Sequence, residues 1–355
     1  MKVKSLKIEY FKRFRQRPIS FTDPETGLAK DLVVLLGNNG TGKSTVLQAI
    51  AATLGTAVRR LERPGDLKWP GFELQLVGSA WQLPAKVDVE VEFSDAELQA
   101  TQEFFAKVPQ LRERSDAVAP AGEPLVVVTL SEGAVRAGSR AEYFQFRGRE
   151  YAKQIVKLVP EGREVFRKVG TVFWYTEHRT ATSLTAEQEN GREVHYDENL
   201  LRRRLADLMQ FHQRVKRGEY TLRPGQRDLF EDIERAYRTV FPTRRFEGPV
   251  PRSDIDQVME EPWFYLYDGS RQYEVSEMSG GERAIFPILF DFANWNIHNS
   301  IVLIDELELH LHPPMQQGLL RALRSLGENN QFILTTHSDA IEDVVPPSAI
   351  CRLEE

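Results

Sequence analysis

The chain has 355 residues, of which 41% are hydrophobic and 28% are charged, the balance of a soluble globular protein with a buried core. Its 46 basic and 52 acidic residues give a net charge of −6, which argues against a protein that coats nucleic acid but leaves room for a local basic patch. The single cysteine, Cys351, excludes an intramolecular disulfide and a cysteine zinc cluster. The opening residues lack a signal-peptide core, and no apolar run approaches the ~20 residues of a membrane span. We therefore predict a cytoplasmic protein with no membrane partner.

The sequence pattern of the first half of the chain predicts several strands and one helix. Residues Asp31 to Leu36 form a nearly continuous apolar run, typical of a strand buried on both faces, and a glycine-rich turn joins it to a helix from Ser44 to Leu54. Apolar residues alternate strictly with acids from Val87 to Phe93, which indicates a half-exposed strand of an antiparallel sheet. Further strands are predicted at Leu125 to Leu130, Tyr143 to Phe146, Ile155 to Val159 and Thr171 to Tyr175.

The sequence pattern in the middle of the chain predicts a helical hairpin. Apolar residues recur at helical spacing from Leu201 to Val215 and again from Leu229 to Phe241. The residues between them, Gly218 to Gly225, predict the turn. Four prolines in residues 242–262 indicate an irregular connection.

The last part of the chain returns to alternating strands and helices. Ile301 to Ile304 and Phe332 to Thr335 are apolar strands of the buried parallel kind. We therefore predict three parts: a first lobe of residues 1–180, a helical insertion and connection of residues 181–262, and a second lobe of residues 263–355.

The strongest motif is a glycine-rich turn between a strand and a helix. Residues Gly37 to Ser44 fit the pattern G-x-x-x-x-G-K-[ST] in full. Glycines let successive backbone N–H groups face a phosphate, and the following helix adds its positive end. Lys43 is expected to neutralise the terminal phosphates, and the Ser44 hydroxyl to ligate magnesium. We predict that ATP and Mg²⁺ bind through Asn38, Asn39, Gly40, Thr41, Gly42, Lys43, Ser44 and Thr45.

Two adjacent acids follow the strand Ile301 to Ile304. Because neighbouring side chains diverge at a strand end, Asp305 can face the magnesium ion while Glu306 faces the attacking water. One acid is expected to hold the metal, and the other to position the nucleophile. An ordinary strand that ends in a charged turn is the alternative, and the phosphate loop disfavours it.

Two further motifs lie next to a predicted helix start and a predicted strand end. Ser279-Gly280-Gly281-Glu282 has the pattern of a capping box, with Ser279 as N-cap and Glu282 at the third helical position. Its glycines leave backbone N–H groups approachable, so this helix end is also an anion site. His337 comes directly after a strand and can sense or donate to a terminal phosphate, although a lone histidine is more often structural.

The order of these motifs resembles that of ABC-type ATPases. The Ser-Gly-Gly-Glu form looks like the SMC, RecF and OLD (overcoming lysogenization defect) branch, because transporter cassettes usually carry glutamine where Glu282 stands. The resemblance covers roughly residues 1 to 55 and 270 to 345, and the middle is poorly matched. It implies an α/β fold: an ABC-ATPase head with a mixed central sheet, an antiparallel β subdomain and an inserted helical hairpin lobe.

Two more stretches carry the resemblance. Leu6 to Phe14 is similar to the first strand and basic turn of that branch, where a basic residue lies near the nucleotide; Lys12 or Arg13 would play that part. Glu306 to Pro313 resembles the stretch from the catalytic carboxylate into the D-loop, with Leu307 where proline is usual.

Other polar residues remain open to two interpretations. His310 and His312 suggest a metal pair, but no third ligand is evident, and we interpret them as part of the D-loop. Gln145 and Gln154 are the candidates for the Q-loop glutamine of the family. The polar cluster Glu177 to Arg179 either reaches the nucleotide or caps the strand before it, and we favour the cap.

The resemblance implies a homodimer that shares its ATP sites. Ser279, Gly280 and Gly281 of one chain would touch the γ-phosphate held by Lys43 of the other, with Glu306 and His337 as catalytic residues. ATP would then join the two chains and hydrolysis would release them, so that the protein acts as an ATP-gated switch.

Relatives in this branch act in DNA transactions such as repair, and compact Septu-like and OLD-like ATPases serve in phage defence beside or fused to a nuclease. Since 18 residues follow His337, we expect any effector, a nuclease or a toxin, to be a separate polypeptide. Basic residues between Arg202 and Arg217 either contact DNA or form a solvated helix face. The alternative functions are the nucleotide-binding cassette of a membrane transporter and a non-hydrolysing ATP-gated scaffold.

Overall fold

The computed structural model describes residues 1–112, 117–176, 198–223, 226–252 and 262–353. Strands are numbered in chain order as β1 Lys2–Phe11, β2 Phe14–Ser20, β3 Leu32–Leu36, β4 Lys86–Glu92, β5 Leu125–Ser131, β6 Ala134–Ala137, β7 Val172–Tyr175, β8 Arg245–Val250, β9 Trp263–Tyr267, β10 Gln272–Glu274, β11 Ile301–Ile304, β12 Gln331–Thr336 and β13 Ile350–Arg352. The helices are α1 Lys43–Ala57, α2 Asp95–Lys107, α3 Pro109–Arg112, α4 Arg140–Gln145, α5 Gly148–Ile155, α6 Glu198–Lys216, α7 Leu229–Val240, α8 Gly280–Trp295, α9 Pro313–Ser325 and α10 Asp339–Glu342.

The chain divides into two compact units. The first unit comprises Met1–Glu177, Ile297–Leu307 and Gly327–Glu355, and the second comprises His178–Asn296 and Glu308–Leu326. The chain therefore crosses between the units more than once. The division of the sequence into three consecutive parts stays a prediction.

The parallel sheet of the first unit brings three loops to one edge. Its strand order is β13-β3-β12-β11-β7, and each of these pairings is parallel. β3, β11 and β12 are buried along their whole lengths, as their continuous apolar runs predict. Because the carboxyl ends of parallel strands share one edge, the segments that follow β3, β11 and β12 emerge there together. These segments are the glycine turn, the acid pair and His337.

A second sheet in the same unit is antiparallel, with the order β2-β1-β4-β5-β6. The strand predicted from Val87 to Phe93 is β4, and its valines are buried while its charged residues are half-buried. The parallel and antiparallel pairings of this unit are thus divided between two sheets.

Helix α1 connects the two sheets into one core. All but one of its residues are buried, and its side chains share a hydrophobic cluster with both sheets. Ala49, Ala51 and Ala52 let the helix approach the sheets closely, since their side chains are small. This packing fixes the start of α1 next to the edge at which the three loops emerge.

Two predicted strands are wrong. Residues Tyr143 to Phe146 lie mostly in α4, and residues Ile155 to Val159 begin at the last residue of α5 and continue as turns. The aromatic and β-branched residues of these segments favour strands locally, but Ser139 caps α4 by accepting the Glu142 N–H at 3.1 Å. The buried residues of α5 recur at helical spacing and pack against α2, so tertiary packing overrides the local preference.

The second unit contains the predicted helical hairpin, formed by α6 and α7. A three-stranded antiparallel sheet, β10-β9-β8, follows it along the chain. The prediction of an irregular connection over residues 242–262 is therefore wrong for β8, whose Pro249 is tolerated because β8 is an edge strand. The ring of Tyr237 on α7 lies 5.2 Å from that of Phe246 on β8 and 6.2 Å from that of Phe286 on α8. Aromatic packing therefore joins the hairpin, the sheet and α8 in one core.

Candidate functional site

The glycine turn after β3 wraps back upon itself. Gly40 and Gly42 have φ angles of 80° and 95°, a region in which residues with a Cβ are strained. The Thr41 hydroxyl and N–H both donate to the Asn38 carbonyl oxygen, at 2.9 and 3.2 Å. A Cβ on Gly42 would lie 2.5 Å from Cζ of Phe14, so glycine is also required there by close packing. The loop therefore has the closed shape that a phosphate-binding turn needs.

Lys43 lies at the start of α1 and reaches across this loop. Its ammonium donates to the carbonyl oxygens of Gly37 and Asn38, at 2.8 and 3.1 Å. It also lies 3.4 Å from Nδ1 of His337, which follows β12. Lys43 and His337 belong to different motifs, and each was predicted to contact the terminal phosphate. The structure brings the two residues together.

The acid after β11 meets the residue after Lys43. Oδ1 of Asp305 accepts hydrogen bonds from the Ser44 hydroxyl at 3.0 Å and from the Thr335 hydroxyl at 2.6 Å. Asp305 is 2% exposed, and its neighbour in sequence, Glu306, is half-buried. The two predicted metal ligands are therefore adjacent, although they lie 261 positions apart in the chain.

These two side chains fit a magnesium ion. A hydroxyl and a carboxylate are hard oxygen donors, and Mg²⁺ typically uses one or two protein oxygens and completes its shell with phosphates and water. In the described part of the chain, no group of three or more His, Cys, Asp or Glu side chains forms a metal cage. His310 and His312 accordingly gain no third ligand there. Ser44 and Asp305 are the residues that would hold the ion, and this role stays a prediction.

Glu306 has an unusual backbone. Its φ is 46°, in the left-handed region that a non-glycine residue seldom occupies. Its N–H donates to the Thr335 hydroxyl at 2.8 Å, and the next N–H, of Leu307, donates to the Thr335 carbonyl oxygen at 3.0 Å. Backbone strain of this kind persists where surrounding bonds hold it, often at functional sites. Thr335 therefore fixes both acids.

Sequence reasoning missed the importance of Thr335. Its hydroxyl serves Asp305 and Glu306 together, and the residue is fully buried at the end of β12. The available signal was the position of Thr335 at the end of a second apolar strand, because paired parallel strands bring their ends together.

The two basic residues of the turn after β1, Lys12 and Arg13, have different surroundings. A Cβ on Gly42 would lie 2.8 Å from Cδ of Arg13, so the exposed Arg13 runs along the glycine loop. Lys12 instead donates to the Gln48 side chain on α1 and to the carbonyl oxygen of Gly71 at 2.7 Å. Burial lowers the pKa of the Lys12 ammonium. Of the two predicted residues, Arg13 is the one placed beside the loop.

The Ser-Gly-Gly-Glu segment begins α8 in the second unit, and it forms the predicted capping box. The Ser279 hydroxyl accepts the Glu282 N–H at 3.3 Å, and the Glu282 carboxylate accepts the Ser279 N–H at 2.9 Å. Ser279 and Gly280 are exposed. Gly281 is buried against the D-loop stretch, since a Cβ there would lie 3.1 Å from the carbonyl oxygen of His310.

Several other candidate residues have surroundings that do not match the predicted roles. Gln145 is buried, and its amide caps a loop by bonding the backbone of Gly122 and Glu123 at 2.8 to 3.1 Å, so it is a structural residue. Gln154 is exposed on α5. The cluster of residues 177–179 lies outside the described residues. Arg202 is 5% exposed and paired with Glu274, which removes it from the predicted DNA-contact surface.

The remaining basic residues of α6 differ from Arg202. Arg203, Arg214 and Lys216 are exposed, as is Arg217 directly after the helix.

No helix in the described part of the chain is both long and apolar enough to span a membrane.

The sequence is similar to those of two proteins named for retron and Septu systems. The chain is 22% identical to the "Retron Vc95 probable ATPase" of Vibrio cholerae serotype O1 biovar El Tor, over 100% of this chain and 74% of that protein. It is 23% identical to the "Septu protein PtuA" of Bacillus mycoides (strain KBAB4), over 95% of this chain and 38% of that protein. The chain therefore spans well under half of the Septu relative.

A solved structure shows the same fold. The crystal structure of the Smc head bound to the C-winged helix domain of ScpA matches with a TM-score of 0.51 and 15% identity, over 97% of this chain and 92% of that one. The predicted fold class, an ABC-ATPase head, is confirmed. A family model described as "AAA domain" matches residues 1–60, and a model described as "AAA domain, putative AbiEii toxin, Type IV TA system" matches residues 32–343. The second match covers most of the chain, and the chain belongs to that family of AAA ATPases.

Proposed function

We propose that this protein binds and hydrolyses ATP, and that ATP joins two copies of the chain into a switch. The observation that carries the proposal is the contact between the Ser44 hydroxyl and Asp305, with Lys43 at the same strand edge and Glu306 next in sequence. These are the groups that phosphoryl transfer needs: a metal site, a cation for the terminal phosphate and a carboxylate for the water.

Each residue has one task in this proposal. Backbone N–H groups from Asn38 to Thr45 bind the phosphates, and Lys43 neutralises the terminal one. Ser44 and Asp305 hold Mg²⁺, which supplies charge neutralisation to the phosphates when it is bound. Glu306 orients the attacking water, and His337, in contact with Lys43, senses the terminal phosphate.

The second half of the site comes from a second chain. Ser279 and Gly280 are exposed at the start of α8, where the helix dipole attracts an anion. A two-fold dimer would bring this helix end to the γ-phosphate held by Lys43 of the other chain. Hydrolysis then removes the shared ligand, which gives the switch its two states.

The switch serves an effector on a separate polypeptide, a nuclease or a toxin, in antiviral defence. Similarity to a retron ATPase and to a Septu protein supports this context. DNA is the candidate trigger, through the exposed arginines and lysine of the hairpin. If affinity for duplex DNA in the presence of ATP is the same for wild type and for a variant with Arg203, Arg214, Lys216 and Arg217 changed to Gln across a salt series, the DNA contact is refuted.

The Glu306→Gln variant tests hydrolysis and dimerisation together. We expect it to bind ATP with wild-type affinity, to lower kcat by about 100-fold or more, and to accumulate as a dimer in ATP. Phosphate release gives the rate, and size-exclusion chromatography with light scattering gives the mass.

The matched control is Glu164→Gln, because Glu164 is half-buried like Glu306 and lies outside the site motifs. It should retain wild-type turnover. A monomeric Glu306→Gln protein with full activity contradicts the proposal. A wild-type protein that dimerises in ATP without releasing phosphate supports the scaffold alternative.

A further inference from the structure

Two buried glutamates lie on either side of the Ser279-Gly280-Gly281 turn. The side chains of Glu274 and Glu282 are 6% and 2% exposed. A carboxylate at such a position is costly unless hydrogen bonds and opposite charges replace its water. The partners of these two carboxylates therefore show what the surrounding structure is built to hold.

Glu274 ends β10 and is held by α6. Arg202 donates to its two oxygens at 2.8 and 2.9 Å in a fork, and the Phe264 N–H adds a bond at 3.1 Å. The same carboxylate accepts the Ser276 N–H at 2.8 Å and hydroxyl at 2.6 Å, at the start of the segment that leads to Ser279. Burial raises the carboxyl pKa, but these donors outweigh it and bring the pKa to about 2.

Glu282 is held by α7 and the residues around it. The hydroxyls of Tyr237, on α7, and Tyr273, on β10, both donate to its Oε1, and Arg244, which follows α7, pairs with its Oε2. Burial raises the carboxyl pKa, but hydrogen bonds from the two tyrosines and Ser279 lower it further, so the group is ionised. Glu274, before the turn, is therefore bonded to α6, and Glu282, after it, is bonded to α7.

The Ser279 hydroxyl has one proton, and it donates this proton to Glu282 at 2.8 Å. A phosphate is an acceptor and needs the same proton. The strength with which Glu282 holds it depends on the other donors, because Tyr237, Tyr273 and Arg244 compete with Ser279 for the carboxylate. Loss of one of them strengthens the bond to Ser279 and makes the hydroxyl less available.

We infer that Glu274 and Glu282 are positioning residues that couple the α6–α7 hairpin to the Ser279 turn, and that the donors around Glu282 set how readily Ser279 reaches a phosphate. This inference rests on the proposed function, in which the turn of one chain completes the ATP site of the other. The hairpin is connected to the turn through Arg202 to one carboxylate and through Tyr237 to the other, and Arg244 adds a charge to the second.

The Tyr237→Phe variant tests the inference with little disturbance, because it removes one hydroxyl and keeps the ring. We expect kcat/KM to fall about tenfold, while the affinity of the phosphate loop for a fluorescent ATP analogue stays within twofold of wild type. Tyr273→Phe should act in the same direction. Tyr267→Phe is the matched control, since its exposed hydroxyl bonds the Gly269 carbonyl oxygen at 2.8 Å, and it should keep wild-type turnover.

A mixing experiment separates positioning from simple loss of stability. The Lys43→Ala chain cannot turn over its own ATP but keeps an unaltered Ser279 turn. An excess of it, added to Tyr237→Phe chains, should restore turnover per Tyr237→Phe chain towards the value that wild-type chains show in the same excess.

The outcomes distinguish the two ideas. If Tyr237→Phe and Tyr273→Phe keep wild-type kcat/KM while Lys43→Ala is inactive, the coupling is refuted and the proposed function stands. If the variants are slow, bind the fluorescent ATP analogue as wild type does, and gain no turnover from the excess of Lys43→Ala chains, the shared site fails, and the inference fails with it.

Discussion

The phosphate-loop site and the Ser279 turn are built in opposite ways. At the phosphate loop, the groups that matter are backbone atoms and short side chains at the ends of β3, β11 and β12. At the Ser279 turn, long side chains from α6, α7 and β10 converge on two buried carboxylates. The first site depends on strand order, and the second depends on a network of ionised and hydroxyl groups.

The difference shows how each site responds to change. Strand ends in a buried parallel sheet are held by the whole core, so the phosphate-loop residues are fixed unless the sheet unfolds. A network of buried polar side chains is held by its own members, and removal of one member alters the others. The first construction suits chemistry that requires constant geometry, and the second suits regulation.

The largest expected effect tests the rigid site. Lys43→Ala removes the cation that bonds Gly37 and Asn38 and would neutralise the phosphate, so we expect ATP affinity to fall by about 100-fold or more. Titration with a fluorescent ATP analogue measures it. Lys216→Ala, an exposed lysine of α6, should bind as wild type, and unchanged affinity of the Lys43→Ala chain would refute the assigned role.

Much of the rigid site could be predicted from the sequence because its residues are adjacent to strands that are recognisable on their own. The apolar runs before Gly37 and Asp305 predict buried parallel strands, and parallel strands put their ends together. The role of Thr335 required the pairing of β11 with β12, which the sequence does not state.

The network around the Ser279 turn could not be predicted in the same way. The capping box of Ser279 and Glu282 is a local pattern and was recognised. The sequence pattern places Arg202 among several basic residues of a helix surface, although it is buried. Its partner Glu274 lies 72 positions away, and only tertiary packing selects one arginine of three consecutive ones.

A smaller change sharpens the view of the rigid site. Thr335→Val keeps the side-chain shape and removes the hydroxyl that bonds Asp305 and the Glu306 N–H. We expect kcat to fall about tenfold and the free energy of unfolding to fall by about 1–3 kcal/mol, because two buried polar groups lose a partner. Turnover and urea denaturation measure these quantities.

The control for that change is Thr53→Val, in the interior of α1. Thr53 is equally buried, but its hydroxyl bonds the Ala49 carbonyl oxygen of its own helix. It should keep wild-type kcat. Equal losses of kcat in both variants would mean that Thr335 acts through general stability.

The stability of the network around Glu274 should depend on pH. The pKa of Glu274 is about 2 in the folded chain against an ordinary value of 4.5, so its ionised form stabilises the fold above about pH 4.5 and that contribution is lost as pH falls towards 2. Glu274→Gln should therefore be less stable than wild type at pH 7, with a difference that shrinks below pH 4.5. Urea midpoints at each pH measure it. Glu277→Gln, at a side chain that is 51% exposed, gives the effect of a surface substitution at each pH, and a difference that stays constant with pH for Glu274→Gln would contradict the ionised pair.

The smallest expected effect separates the two glycines of the turn. A Cβ on Gly280 has no neighbour closer than 4.0 Å, whereas a Cβ on Gly281 would lie 3.1 Å from the His310 carbonyl oxygen and 3.4 Å from Leu311. Gly280→Ala should leave the free energy of unfolding nearly unchanged or slightly raised, since alanine favours a helix. Gly281→Ala should be about 1 kcal/mol less stable than Gly280→Ala, because the D-loop backbone must move. Thermal unfolding of both variants decides the point: equal stabilities would mean that the D-loop yields without cost, and that the turn is held by its carboxylates alone.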